Sequence, residues 1–121
     1  MTITITGTRE IERILRQLGE RAPREAAKAL YETAEEIMAD SKENYCPVDT
    51  GNLRGTGNVQ QPAIGRNDVS VELGYNADYA AVVHELLDVY HPVGQAKFLE
   101  TPISQTDITG KLAEKLRSVI D

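Results

Sequence analysis

The chain has 121 residues, 40% of them hydrophobic but only 5% aromatic, with no Trp and one Phe. That is enough for one domain, residues 1–121, whose core is built from Ile, Leu, Val and Ala. A net charge of −6 argues against tight phosphate binding, which needs clustered Lys and Arg. Cys46 is the only cysteine, so an internal disulfide and a cysteine-rich zinc site are excluded. No apolar run is long enough to span a bilayer, and the opening MTITITGTRE lacks the basic start and apolar stretch of a signal peptide. A reducing, intracellular place of synthesis fits this composition.

Thr2 to Thr6 alternates Thr and Ile, the period of a short strand. Thr8 offers a hydroxyl cap to a first helix whose stripe is Ile11, Ile14, Leu15 and Leu18, with Gly19 as its stop. Pro23 suits the start of a second, Ala-rich helix reaching Tyr45. Ala26, Leu30, Ala34, Ile37 and Ser41 line one face of it, with Ala27, Thr33 and Met38 beside them. Pro47 ends it. Asp49, Thr50, Gly51 and Asn52 are turn formers, and 53–61 reads as a strand loosened by Gly55 and Gly57. Residues 62–67 read as another turn. Val69, Val71 and Leu73 alternate with Ser70 and Glu72 in the cleanest strand of the chain. Residues 77–87 fit a strand or a short helix, and the helix is preferred. A loop over 91–95 leads to Phe98, Leu99 and Ile103, which open a last helix with the stripe Ile108, Leu112, Leu116, Val119 and Ile120. Pro102 is compatible with that helix only in its first turn. The expected fold is α+β: a small antiparallel sheet packed against the long Ala-rich helix and the C-terminal helix.

Three chemical readings compete. Asp49-Thr50-Gly51 matches the catalytic triplet of an aspartic protease, and Ala63 to Asp68 echoes a later segment of that family. However, Asp49 and Gly65 stand only 16 positions apart. That fold separates the two motifs by most of a sheet, and its triplet follows a strand, not a helix. The triplet is therefore a turn. His84-Glu85 with Asp88 or His91 approaches the His-Glu-x-x-His pattern of zinc hydrolases but lacks its fifth-position His. A small metal-dependent hydrolase using His84, Glu85 and His91 is the alternative function. The bland reading of His84 is a partly exposed side chain at an element end. No phosphate-cradling loop and no local Ser, His and acid grouping are present, and Cys46 has no basic sequence neighbour to activate it. The third reading is a generic α+β binding module.

Three ordered stretches carry a resemblance: PVDTGNLRGT (47–56), VELGYNADYAAVVHE (71–85) and HPVGQAKFLETPI (91–103). Together they resemble the head-to-tail joining proteins of tailed bacteriophages. These are small neck or tail-completion proteins, also labelled minor capsid or minor tail proteins. The resemblance runs from about Ala26 to the C-terminus. The matching positions include Asp49, Thr50, Gly51, Leu53 and Arg54 in the first motif, Tyr79, His84 and Glu85 in the second, and Lys97 and Phe98 in the third. Leu86 and Leu87 depart from the Gly that follows Glu85 in many relatives, which leaves the shape of the 86–95 loop open.

The resemblance implies a structural virion protein with no catalytic, metal or cofactor site, made in the bacterial host cytoplasm. It implies a homo-oligomeric ring of six- or twelve-fold symmetry at the head-tail junction. The partners would be adjacent connector or adaptor proteins and tail terminator proteins, with genomic DNA passing through without tight binding and no membrane contact. On this reading the Asp49 loop turns the chain from helix into sheet. Arg54 either pairs with a carboxylate, Glu85 being one candidate, or stays a solvated surface charge.

Overall fold

The computed structural model describes residues 1–6, 12–46, 52–65, 68–76, 80 and 98–120. In chain order these form β1 (Thr2–Thr6), α1 (Glu12–Leu18), α2 (Ala22–Asp40), α3 (Asn52–Gly55), β2 (Gly57–Val59), β3 (Ala63–Ile64), β4 (Val69–Tyr75), α4 (Glu100–Gln105) and α5 (Ile108–Ile120). A 3-10 turn, Gly19–Arg21, joins α1 to α2, and a π-helical turn, Ser41–Tyr45, extends α2. Gly19 takes φ +58°, the left-handed value that costs a residue with a Cβ, so the predicted stop falls where α1 ends.

The sheet is antiparallel, with β4 at its centre. β1 pairs along one side of β4, from Thr2 opposite Gly74 to Thr6 opposite Ser70. β2 and β3 share the other side, with Val59 opposite Leu73 and Ala63 opposite Ser70. Alternation sets the faces. Val69, Val71, Leu73 and Tyr75 are buried, while Glu72 is exposed.

α2 lies across the buried face of the sheet. Its stripe of Ala26, Ala27, Leu30, Thr33, Ala34, Ile37 and Met38 is buried as the periodicity predicts, and so is Ser41. Small residues on this ridge allow close approach. A Cβ on Gly57 would lie 2.6 Å from Lys42 Cε, 2.9 Å from Met38 Sδ and 3.0 Å from the Tyr75 ring, so a larger residue there would have to displace these side chains. On its other flank α2 meets α5, which buries Leu112 and Leu116. The mixed fold with one long helix, a small antiparallel sheet and C-terminal helices is the expected one.

Three local readings are corrected. Residues 53–61 are not one strand: Asn52–Gly55 forms a helical turn and only Gly57–Val59 is extended. Leu53 is drawn into the core, and its carbonyl accepts from both the amide (3.0 Å) and the hydroxyl (2.8 Å) of Thr56, which closes the turn. The turn over 62–67 is shorter than expected because Ala63 and Ile64 pair with β4. The single last helix is two. Thr106 is extended, and Asp107 begins α5 afresh by accepting the Gly110 amide on its carboxylate at 3.0 Å. Pro102 does lie in the first turn of α4. Of the predicted 77–87 helix only Ala80 is described, and it is helical and buried. The 91–95 loop lies outside the described residues.

An ion-pair cluster ties α2 to α5 at the surface. Lys115 reaches Glu36 at 2.8 Å and Glu32 at 3.6 Å, and Lys111 reaches Glu36 at 3.2 Å. The hydrogen bond from Lys115 lowers the Glu36 pKa below its ordinary 4.5, and the same bond raises that of Lys115. A lowered carboxylate pKa contributes stability that is complete above pH 4.5 and lost as pH falls through the folded value. A raised lysine pKa contributes stability that is complete below 10.5 and lost above it. Glu36 is about half exposed, so solvent screening keeps the contribution small. Glu36→Gln is expected to cost less than about 1 kcal/mol at pH 7. Urea titrations should show the difference shrinking as pH drops below 4.5.

Candidate functional site

The most elaborated polar arrangement among the described residues is internal. It sits where the end of α2, the end of β4 and the start of the C-terminal segment meet. The Ser41 hydroxyl is fully buried and donates to the Phe98 carbonyl at 2.6 Å. The Tyr75 hydroxyl lies 2.7 Å from Ser41 Oγ and, with that proton already committed, is the donor. The Tyr75 and Phe98 rings meet edge to face, with centroids 4.9 Å apart and planes at 87°. Burial raises the Tyr75 pKa, so the phenol stays protonated as a donor.

Cys46 closes this junction at the end of the π turn. Its amide donates to the Ser41 carbonyl at 2.7 Å, which ends the π turn, and its thiol is buried beside the Tyr75 hydroxyl. From α3, Arg54 Nη2 donates to the Cys46 carbonyl at 3.4 Å, linking α3 to the end of the π turn. Arg54 Nε is buried and has no hydrogen-bond partner among the described residues.

Cys46 does have basic neighbours in space, Arg54 and Lys42, but desolvation outweighs them and raises its pKa. The thiol is therefore a packing group. In native protein it should react with a thiol-specific disulfide reagent only at the rate of global unfolding, and at the rate of a free thiol in denaturant. Fast reaction of the folded chain would show Cys46 to be accessible.

Of the ten residues singled out from the sequence, Leu53, Arg54 and Phe98 fall within the described residues. Leu53 and Phe98 are core, and Arg54 is half-buried at the loop junction. Asp49, Thr50, Gly51, Tyr79, His84, Glu85 and Lys97 lie outside the described residues, as does His91. Sequence reasoning placed Ser41 on the buried face of its helix but did not see it as the hub of a hydrogen-bond network. Nor did it single out Tyr75. The available signal was a serine on an otherwise apolar stripe, since a buried hydroxyl needs partners.

Among the described residues, one cleft at the surface can be weighed as a small-substrate site. A shallow, open cleft of ≈ 170 Å³ between α2 and α5 is lined by Glu25, Lys28, Ala29, Glu32, Lys115 and Val119 among others. Ligand pockets usually start near about 300 Å³. Among the described residues no group of His, Cys, Asp and Glu could hold a metal ion, and no helix is long and apolar enough to cross a membrane.

Residues 9–100 match the model of the HK97-gp10-like family, described as "Bacteriophage HK97-gp10, putative tail-component", and the chain belongs to that family. The match is consistent with the head-to-tail joining resemblance and marks a tail-related structural protein of bacteriophage, a class that implies no reaction. It lends no support to a hydrolase built on His84, Glu85 and His91. No curated protein and no solved structure matches the chain.

Proposed function

We propose that this protein is a virion component that forms a ring at the head-tail junction of a tailed phage, between the portal side of the capsid and the tail. The family match over residues 9–100 carries this reading. The ring contacts adjacent connector or adaptor proteins on one side and tail terminator proteins on the other. Rings close through heterologous contacts, in which one surface of each copy meets a different surface of the next.

In this reading the Asp49-Thr50-Gly51 loop is architectural. The Arg54 bond to the Cys46 carbonyl supports it, because that bond joins the two sides of the loop. A carboxylate such as Glu85 would satisfy the buried Arg54 Nε.

The genomic DNA passes through the ring without being held. Nineteen acidic residues against thirteen basic ones, repeated in every copy, leave little positive charge to line a channel. Phosphates are then not neutralised, and no counterions are released to drive binding.

Electron microscopy of virions carrying a tagged chain tests the placement. Density as a ring on the tail axis at the neck is expected, and density confined to the tail tip or the capsid shell would refute it. DNA titration of the isolated protein tests the passage. Binding weaker than about 100 μM is expected even at low salt, weaker than non-specific binders show at physiological salt. Binding near micromolar that collapses as salt rises would reveal a basic nucleic-acid surface instead.

A further inference from the structure

The solvent face of α2 is divided by charge. Near its N-terminal end Arg24 and Lys28 are exposed, with Glu25 half-buried between them and, like Lys28, bordering the cleft toward α5. Tyr31, half-buried, follows on the same stripe at the spacing i, i+4, i+7. Toward the other end Glu35, Ala39 and Glu43 are exposed at i, i+4 and i+8, the last on the π turn. Glu32 and Glu36 are engaged by Lys115 and Lys111, so Glu35 and Glu43 are the exposed acidic groups of α2 and its π turn that stand outside those ion pairs. Arg24 and Glu35 stand about 16 Å apart along the axis, at 1.5 Å per residue. That exceeds the Debye length of about 8 Å at physiological salt, so the two ends do not neutralise each other.

We propose that this face is a subunit contact: the basic end of α2 in one copy meets the acidic end of α2 in the next copy, head to tail. A second copy of the chain is the occupant because each copy carries both halves of the charge match at opposite ends of one helix. Such a match is satisfied either by an antiparallel pair of two copies or by head-to-tail repetition, and the proposed ring selects the second, heterologous arrangement. Tyr31 lies between the charged ends and supplies half-buried aromatic surface of the type enriched at interfaces. Ala39 leaves room for the neighbour's long basic side chains. The contact presupposes the proposed ring and names the surface that builds it.

Charge exchange tests it. Four full-length chains are compared by sedimentation velocity at low and at physiological salt: wild type, R24E/K28E, E35K/E43K, and the chain with all four changes. All the altered residues are exposed, and unchanged circular dichroism checks the fold. Wild type should assemble beyond a dimer, more weakly as salt rises. Each two-residue reversal should weaken assembly about tenfold or more, because like charges then face each other. The fourfold exchange should recover assembly, since its two ends are complementary again. Recovery is a result that simple damage to the fold would not give. Reversals that leave a wild-type oligomer intact, or a fourfold chain that fails to recover, overturn the α2 contact and leave the ring standing. A wild-type chain that stays monomeric or stops at two copies in every condition also overturns the α2 contact, and the virion density then decides the ring by itself.

Discussion

Leu116→Ala is expected to destabilise the fold by roughly 2–5 kcal/mol, the range for removing a leucine from a packed interior. Leu116 is fully buried on α5, where that helix packs against α2. On the α2 side, buried Ala29 borders the same cleft as Leu116. Alanines have no side chain that could swing into the vacated space, so the cavity should persist and the cost should fall in the upper half of that range. At the scaling expected for a domain of this size, Tm should drop by roughly 10 °C or more. R117A, one position on and exposed, serves as the control, since it alters the same helix without touching the interior. A Leu116→Ala chain that melts with R117A would mean that α5 contributes nothing to the core.

The reach of the sequence follows from the range of the forces. β1 and β4 were legible because each buries one face, so Ile alternates with Thr and Val with Ser or Glu. The buried stripe of α2 was legible for the same reason at helical period. Gly19 announced the end of α1 because a positive φ is local chemistry. The 53–61 segment misled because the burial of Leu53 and the hydroxyl bond of Thr56 outweigh the extended pattern around them. The break at Thr106 had a local signal, an Asp three residues before an amide it could cap, but continuous apolar periodicity on both sides concealed it. In the candidate site the residues were legible and their partners were not. Ser41 stood on the buried face, yet its partners lie 34 and 57 positions away, at Tyr75 and Phe98. Pattern in one dimension carries no term for such distances.

The junction those residues make should show itself as coupling. Ser41→Ala removes the donor to the Phe98 carbonyl and the acceptor for the Tyr75 hydroxyl at once. Each buried polar group left unsatisfied costs about 1–3 kcal/mol, so the single change should cost roughly 2–4 kcal/mol. Tyr75→Phe alone should cost only about 1 kcal/mol, because Ser41 keeps its bond to Phe98 and loses one incoming donor. Once Ser41 is alanine, the Tyr75 hydroxyl is a buried donor left, among the described residues, with the thiol of Cys46 beside it, and sulfur is a weak acceptor. Deleting that hydroxyl should then be neutral or stabilising. The edge-to-face contact with Phe98 survives in the double variant because phenylalanine keeps the ring. Urea unfolding of the four chains in this cycle should therefore give a coupling of about 1 kcal/mol or more, with the double variant no less stable than Ser41→Ala. Costs that simply add would show that the two hydroxyls stand close without depending on each other, and that the end of α2 is held to β4 by apolar packing alone.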